Sequence, residues 1–170
     1  LNLEEIAYKL GADVPYLLFG GACWVEGIGE RIEPVKGIRR AWYLLVNSGI
    51  RISTRQVYQE YDMGRDLTIE PKAVIIKKLL DGDWKGFCVN HLEQVVLNKY
   101  QELKELKQEL SRLGSEAVVM SGSGSTLVGI FLEKKGAERA KEELLRRDYK
   151  IWSEVVEEYQ PTSRERREGG

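Results

Sequence analysis

The stretch Ala117-Val118-Val119-Met120-Ser121-Gly122-Ser123-Gly124-Ser125-Thr126-Leu127-Val128-Gly129-Ile130-Phe131-Leu132 reads as a strand, a run of small residues and a second strand. The segments Ala117 to Met120 and Thr126 to Leu132 are rich in apolar and β-branched residues, which suit a pleated surface. Between them lie only serine and glycine. Two glycines at a spacing of two let backbone N–H groups approach an anion without a Cβ in the way, and the serine hydroxyls add donors. No G-K-[ST] follows, so this is not a Walker loop; the next element is a strand rather than a helix, so it is not a dinucleotide fingerprint. A tight hairpin using glycine for turn geometry alone is the competing reading. The repeated Ser-Gly pair favours the anion cradle.

Working outward, Ala137 to Arg147 has the spacing of a charged amphipathic helix, and Tyr149 to Val156 that of a final strand. From Pro161 onward there is no apolar residue, so residues 159–170 are expected to form a disordered tail. Upstream, a helical pattern runs from Trp84 to Leu113 as one helix or two, and Gly114 stops it. Its Leu103, Leu106, Leu110 and Leu113 could serve a coiled coil or lie on a sheet. Too few clean heptads favour the sheet. Pro71 suits the first turn of a helix reaching about Leu80, which Asp81-Gly82-Asp83 ends. Asp62 to Thr68 reads as polar loop. Ser53 and Thr54 sit where an N-cap would start a helix from Arg55 to Tyr61. Ala41 to Val46 is a continuous apolar run that fits a buried strand. The order from Ala41 is therefore strand, helices, strand, strand, helix, strand. That is the plan of an α+β, ferredoxin-like domain with extra helices in its first crossover, expected over residues 37–158.

Residues 1–36 do not fit that unit. Asn2 is a candidate N-cap for a helix whose Leu3, Ile6, Ala7 and Leu10 share a face, and Gly11 ends it. Tyr16 to Phe19 is an apolar stretch. Ala22 to Glu26 and a second strand through Ile32 flank the turn Gly27-Ile28-Gly29. An isolated hairpin is marginal in water, so this segment is expected to be the remnant of another domain. Within it, Gly11-Ala12-Asp13-Val14-Pro15 holds one carboxylate between a helix end and a proline that restricts Val14. A carboxylate on such a stiff connection is a candidate positioned base. Hydrogen bonding of Asp13 to its own turn is the competing reading.

The 170-residue chain carries 26 basic and 27 acidic residues for a net charge of −1, with no basic excess for nucleic acid. Cys23 and Cys88 are far apart, and with His91 as the one histidine no zinc site or other protein-held metal is expected. They read as buried, reduced thiols. With no apolar run long enough to span a bilayer, a cytoplasmic protein without membrane partners is expected.

Four segments, Leu10 to Pro15, Glu26 to Glu30, Ser53-Thr54 with Val57-Tyr58, and Met120 to Thr126, together resemble the GHMP superfamily of ATP-dependent small-molecule kinases. The resemblance lies in the carboxy-terminal part of such enzymes. It implies a ferredoxin-like carboxy-terminal domain preceded by the end of an amino-terminal (ribosomal protein S5 domain 2-like) domain. It implies that Asp13 is the catalytic base and that Gly122, Ser123 and Gly124 belong to a phosphate loop. Thr54 and Tyr58 match positions bordering a cytidine pocket, although Tyr58 could equally be an ordinary half-buried helix residue. Gly27 and Gly29 are assigned to turn geometry only. Ser125 stands where related loops often have proline or alanine. The implied partners are ATP, Mg2+ and a small-molecule acceptor, in a monomer or homodimer. The family's main ATP-cradling loop would lie upstream of Leu1, so the chain alone is expected to lack kinase activity. A kinase for another small alcohol and a non-catalytic ferredoxin-like binding module are the rival expectations.

Overall fold

In the computed structural model, residues 3–61, 70–147 and 149–157 are described. Asn2, the Asp62 to Thr68 loop and the tail from Pro161 lie outside them. The chain divides at Ile38/Arg39 into two compact units.

The first unit opens with helix α1 (Leu3–Leu10), followed by α2 (Val14–Phe19) and strands β1 (Cys23–Glu26) and β2 (Arg31–Pro34). On the apolar face of α1 only Ala7 is buried, while Leu3, Ile6 and Leu10 are exposed. The apolar stretch after Gly11 is helical because Pro15 sits in the first turn, where its fixed φ is already that of a helix and its missing N–H is no loss. Pro15 is also fully buried, which anchors the turn before it. Strands β1 and β2 pair antiparallel, from Cys23 opposite Pro34 to Glu26 opposite Arg31.

The second unit is built on a four-stranded antiparallel sheet of order β4-β5-β3-β6. Its strands are β3 (Trp42–Asn47), β4 (Ala117–Met120), β5 (Thr126–Phe131) and β6 (Trp152–Glu157). Strand β3 pairs with β5 on one side and β6 on the other, so the first strand of the unit becomes central. This is the strand order of the expected ferredoxin-like plan. Successive side chains of a strand face opposite sides, and Leu44 and Val46 supply the buried side of β3. Strand β6 is an edge; its Glu154 pairs with Lys141 and its Glu157 with Arg40.

The crossover holds α3 (Thr54–Glu60), α4 (Lys72–Asp81), α5 (Trp84–Phe87), α6 (Glu93–Lys99) and α7 (Gln101–Arg112). Ser53 caps α3, accepting a hydrogen bond from the Gln56 N–H. Gly82, with φ of 77°, closes α4 in the left-handed conformation that glycine tolerates. The helical pattern from Trp84 is thus three helices rather than one or two. Breaks fall at Cys88 to Leu92 and at Tyr100, whose φ and ψ of −117° and 88° lie outside the helical region. Leu103, Leu106 and Leu110 of α7 join Leu44, Val46, Met120 and Leu127 of the sheet in one core, which settles the helix-on-sheet reading. Helix α8 (Lys134–Arg146) adds Ala137, Ala140 and Leu144 to the same core. Beside it, Glu109 is buried and held by Arg147 at 2.9 Å.

Leu106 is buried at the centre of α7, so Leu106→Ala should lower unfolding free energy by about 3 kcal/mol through lost burial and a residual cavity. Leu145→Ala, at an exposed position, should stay within about 0.5 kcal/mol. Urea denaturation of both variants checks the contrast.

Candidate functional site

In the first unit Asp13 occupies the N-cap position of α2, on a turn closed by the Val14 N–H donating to the Gly11 carbonyl at 3.2 Å. Its φ and ψ of −86° and −14° are helical, and its side chain makes no cap hydrogen bond. The carboxylate is exposed and is not consumed by its own turn, contrary to the competing reading of Asp13. What fixes the turn lies seventeen residues downstream. A Cβ on Gly29 would stand 2.1 Å from the Ala12 carbonyl oxygen, and Gly29 has φ of 103°, so only glycine fits there. The Glu30 carboxylate accepts the Ile28 N–H at 2.6 Å and keeps this second turn tight. Hydrogen bonds from its own backbone and from Ile28 hold the Glu30 carboxyl below the usual carboxylate range. Gly29 therefore does more than make a turn: it lets that turn press against the segment carrying Asp13.

The loop from Ser121 to Ser125 belongs to the second unit. Its base is closed by the Ser121 N–H donating to Thr126 at 2.9 Å, and its interior by the Gly124 N–H donating to Ser121 at 2.9 Å. Gly122 and Gly124 have φ of 54° and 86°, and the Gly124–Ser125 peptide is cis. A Cβ on Gly124 would meet the Met120 sulfur at 2.7 Å and the Ile52 Cδ1 at 3.2 Å. Gly122 has open space instead. Ser125 is buried, whereas Ser121 and Gly122 are exposed. Among the described residues, the Gly122 and Ser123 amides donate to no protein acceptor. Two amides and a serine hydroxyl on a glycine-rich bend form a set of donors suited to phosphate oxygens.

Thr54 meets that loop. Its hydroxyl lies 2.8 Å from the Ser123 hydroxyl, joining the first turn of α3 to the cradle. Tyr58, one helical turn further along, shares that face of α3 and is 56% exposed. Its ring is available, while Val57 takes the buried position. Of the residues singled out from sequence, Thr54 and Ser123 are thus in contact, Gly122 and Gly124 shape the same loop, and Asp13 lies in the other unit.

Sequence reading missed the support beneath the loop. The Asn90 Nδ2 donates to the Met120 and Gly122 carbonyls, each at 2.7 Å, while its Oδ1 accepts the Leu92 N–H at 2.9 Å. Glu93 accepts the Met120 N–H at 3.0 Å and pairs with Lys107 at 2.5 Å. Nearby, burial pushes the Cys88 thiol up to about 11, with the Lys107 charge pulling weakly the other way. The polar pair Asn90-His91 inside an apolar helical pattern was the available signal.

Residues 73–151 match the family described as GHMP kinases C terminal. This part of the chain is a GHMP kinase C-terminal domain. The match takes in the Ser121 to Ser125 loop and Asn90, and leaves out Asp13, Thr54 and Tyr58. The chain is 37% identical, over 141 residues, to a protein of Syntrophus aciditrophicus named 4-diphosphocytidyl-2-C-methyl-D-erythritol kinase, covering 82% of this chain and 50% of that protein. A protein of Alkaliphilus oremlandii with the same name is 38% identical over 144 residues, covering 82% and 48%. A crystal structure of 4-(cytidine 5'-diphospho)-2C-methyl-D-erythritol kinase superposes with a TM-score of 0.76 at 30% identity, covering 94% of this chain and 58% of that one. The chain spans about half the length of the curated relatives it matches. The α+β fold with its antiparallel sheet agrees with that structural match, while the family match takes in strands β4 and β5 of the sheet.

Two outcomes follow from the geometry. Gly29→Ala should destabilise the chain by about 2 kcal/mol or more, because a Cβ must displace backbone at a left-handed φ; chemical denaturation measures it. In a Cys23→Ser background, Cys88 should alkylate with iodoacetamide roughly a hundredfold more slowly at pH 8 than a free cysteine. The raised thiol is protonated until pH approaches 11, so the rate should climb about tenfold per pH unit towards that value.

Proposed function

We propose that this chain is part of a 4-diphosphocytidyl-2-C-methyl-D-erythritol kinase, transferring the γ-phosphoryl group of ATP to the 2-hydroxyl of that acceptor in non-mevalonate isoprenoid precursor synthesis. The observation that carries the reading is the 2.8 Å contact between Thr54 and Ser123. It places a helix face bearing an exposed tyrosine beside a loop of free amides, and a cytidine diphosphate ester has both a base to stack and phosphates to cradle. Relatives bearing that name, at 37% and 38% identity, support the choice of acceptor.

In this reaction Asp13 accepts the proton of the attacking hydroxyl. Gly122 and Ser123 supply N–H and O–H donors to phosphate oxygens, Gly124 shapes the bend that presents them, and Tyr58 stacks on cytosine with Thr54 beside it. Phosphoryl transfer needs little covalent help from protein, so positioning and charge balance are the whole contribution asked of these groups. Among the described residues no cluster of three or more His, Cys, Asp or Glu could hold a metal ion. Magnesium would enter on the nucleotide's phosphates and keep much of its water, as it commonly does. Residues 1–36 would be the end of an amino-terminal nucleotide-binding domain and residues 37–158 the carboxy-terminal domain, with the division at Ile38/Arg39 in support. No helix among the described residues is long and apolar enough to cross a membrane, which agrees with a cytoplasmic enzyme.

In the full-length protein, Asp13→Asn should reduce turnover by ~10²-fold or more with its circular dichroism unchanged. Unaltered turnover would leave a non-catalytic module. Tyr58→Ala should raise KM for the cytidine-bearing acceptor by about tenfold with kcat nearly constant. An equal loss with a cytidine-free alcohol would favour a kinase for another small molecule.

A further inference from the structure

We propose that Asn90 is a positioning residue for phosphate recognition: by holding the Met120 and Gly122 carbonyls, it turns the Ser123 N–H outward to meet an anion. The proposal rests on the reading of the loop as a phosphate cradle and says how that cradle is kept in shape. A single amide nitrogen donates to both carbonyls at 2.7 Å, which uses both of its hydrogens. The Oδ1 is occupied by the Leu92 N–H at 2.9 Å, so the orientation of the amide is fixed by its neighbours: a flipped amide would set Oδ1 against two carbonyls.

Peptide planarity converts this grip into a direction. The Gly122–Ser123 peptide is trans. In a trans peptide the C=O and the following N–H point opposite ways. With the Gly122 oxygen drawn down onto Asn90, the Ser123 N–H points away from Asn90, and it has no acceptor among the described residues. Glu93, three residues further along, accepts the Met120 N–H at 3.0 Å and is neutralised by Lys107. The loop is thereby tethered at Met120 on both its donor and its acceptor group. Gly122 has open space for a Cβ, so packing does not hold it and the Asn90 hydrogen bond does.

The test uses the whole 170-residue chain, labelled with nitrogen-15 and titrated with inorganic pyrophosphate. In the wild type the Ser123 amide should show the largest shift. Failure of pyrophosphate to bind would defeat the phosphate reading of the loop itself, and binding that leaves Ser123 unmoved would overturn the outward amide. Asn90→Asp keeps the acceptor for Leu92 but replaces the donor by a carboxylate; Asn90→Ser removes the double grip without adding charge. Both should bind pyrophosphate about tenfold more weakly while keeping the wild-type circular dichroism. Affinity within twofold of wild type in a folded variant would defeat the role of Asn90 while the phosphate reading stands. A measurement on the wild type alone guards against variants that fail to fold. The Asn90 side-chain amide protons should exchange with solvent about tenfold more slowly than those of exposed Asn98. Equal rates would overturn the proposal.

Discussion

The register of one strand pair decides what can meet in the larger unit. Asn47, the last residue of β3, stands opposite Thr126, the first of β5, and its Nδ2 donates to the Thr126 hydroxyl at 2.8 Å. Met120, the last residue of β4, stands opposite Leu127. Because these ladders are antiparallel, the end of β3, the end of β4 and the start of β5 share one edge of the sheet. The chain leaving β3 towards α3 and the loop joining β4 to β5 therefore emerge side by side. The Thr54–Ser123 contact follows from that register. A slip of one residue would also turn Leu44 and Val46 out of the core, so burial and site geometry enforce the same alignment.

Much of this was legible in the chain. Strands β3, β4 and β5 announce themselves as apolar runs beside Gly, Ser or Asn, and the order of elements leaves few ferredoxin-like alternatives. The Ser-Gly loop is distinctive because two left-handed glycines and adjacent hydroxyls are needed at fixed spacing. Boundaries were less legible. Helix α8 begins at Lys134, ahead of the expected Ala137, since exposed charged residues extend a helix without marking its start. Strand β6 begins at Trp152 rather than Tyr149. The helical tract after Trp84 hid its breaks because Asn90 and Tyr100 are compatible with a helix until their tertiary partners are known.

The same reason explains the supporting residues that sequence alone did not reveal. Asn90 works through carbonyls 30 and 32 positions away, and Gly29 works through its close approach to the Ala12 carbonyl. Neither has its partner nearby in the sequence. Glu109 presents the opposite case: its charge suggests exposure, yet it is buried at 4% exposure because Arg147 and Arg112 supply its counter-charges. A stripe read for hydrophobicity cannot anticipate a buried carboxylate answered by a half-exposed arginine at the end of another helix.

Edge strand β6 carries a further consequence. Its outer backbone groups are not paired with another described strand, a geometry that invites a neighbouring molecule to add itself to the sheet. Two carboxylates flank that border, each matched to a cation of its own chain, Lys141 or Arg40. An incoming strand would have to strip both pairs of their water before making its first backbone hydrogen bond. This border of the sheet thus carries its own deterrent against fibrous self-association, built from side chains that add little to the fold.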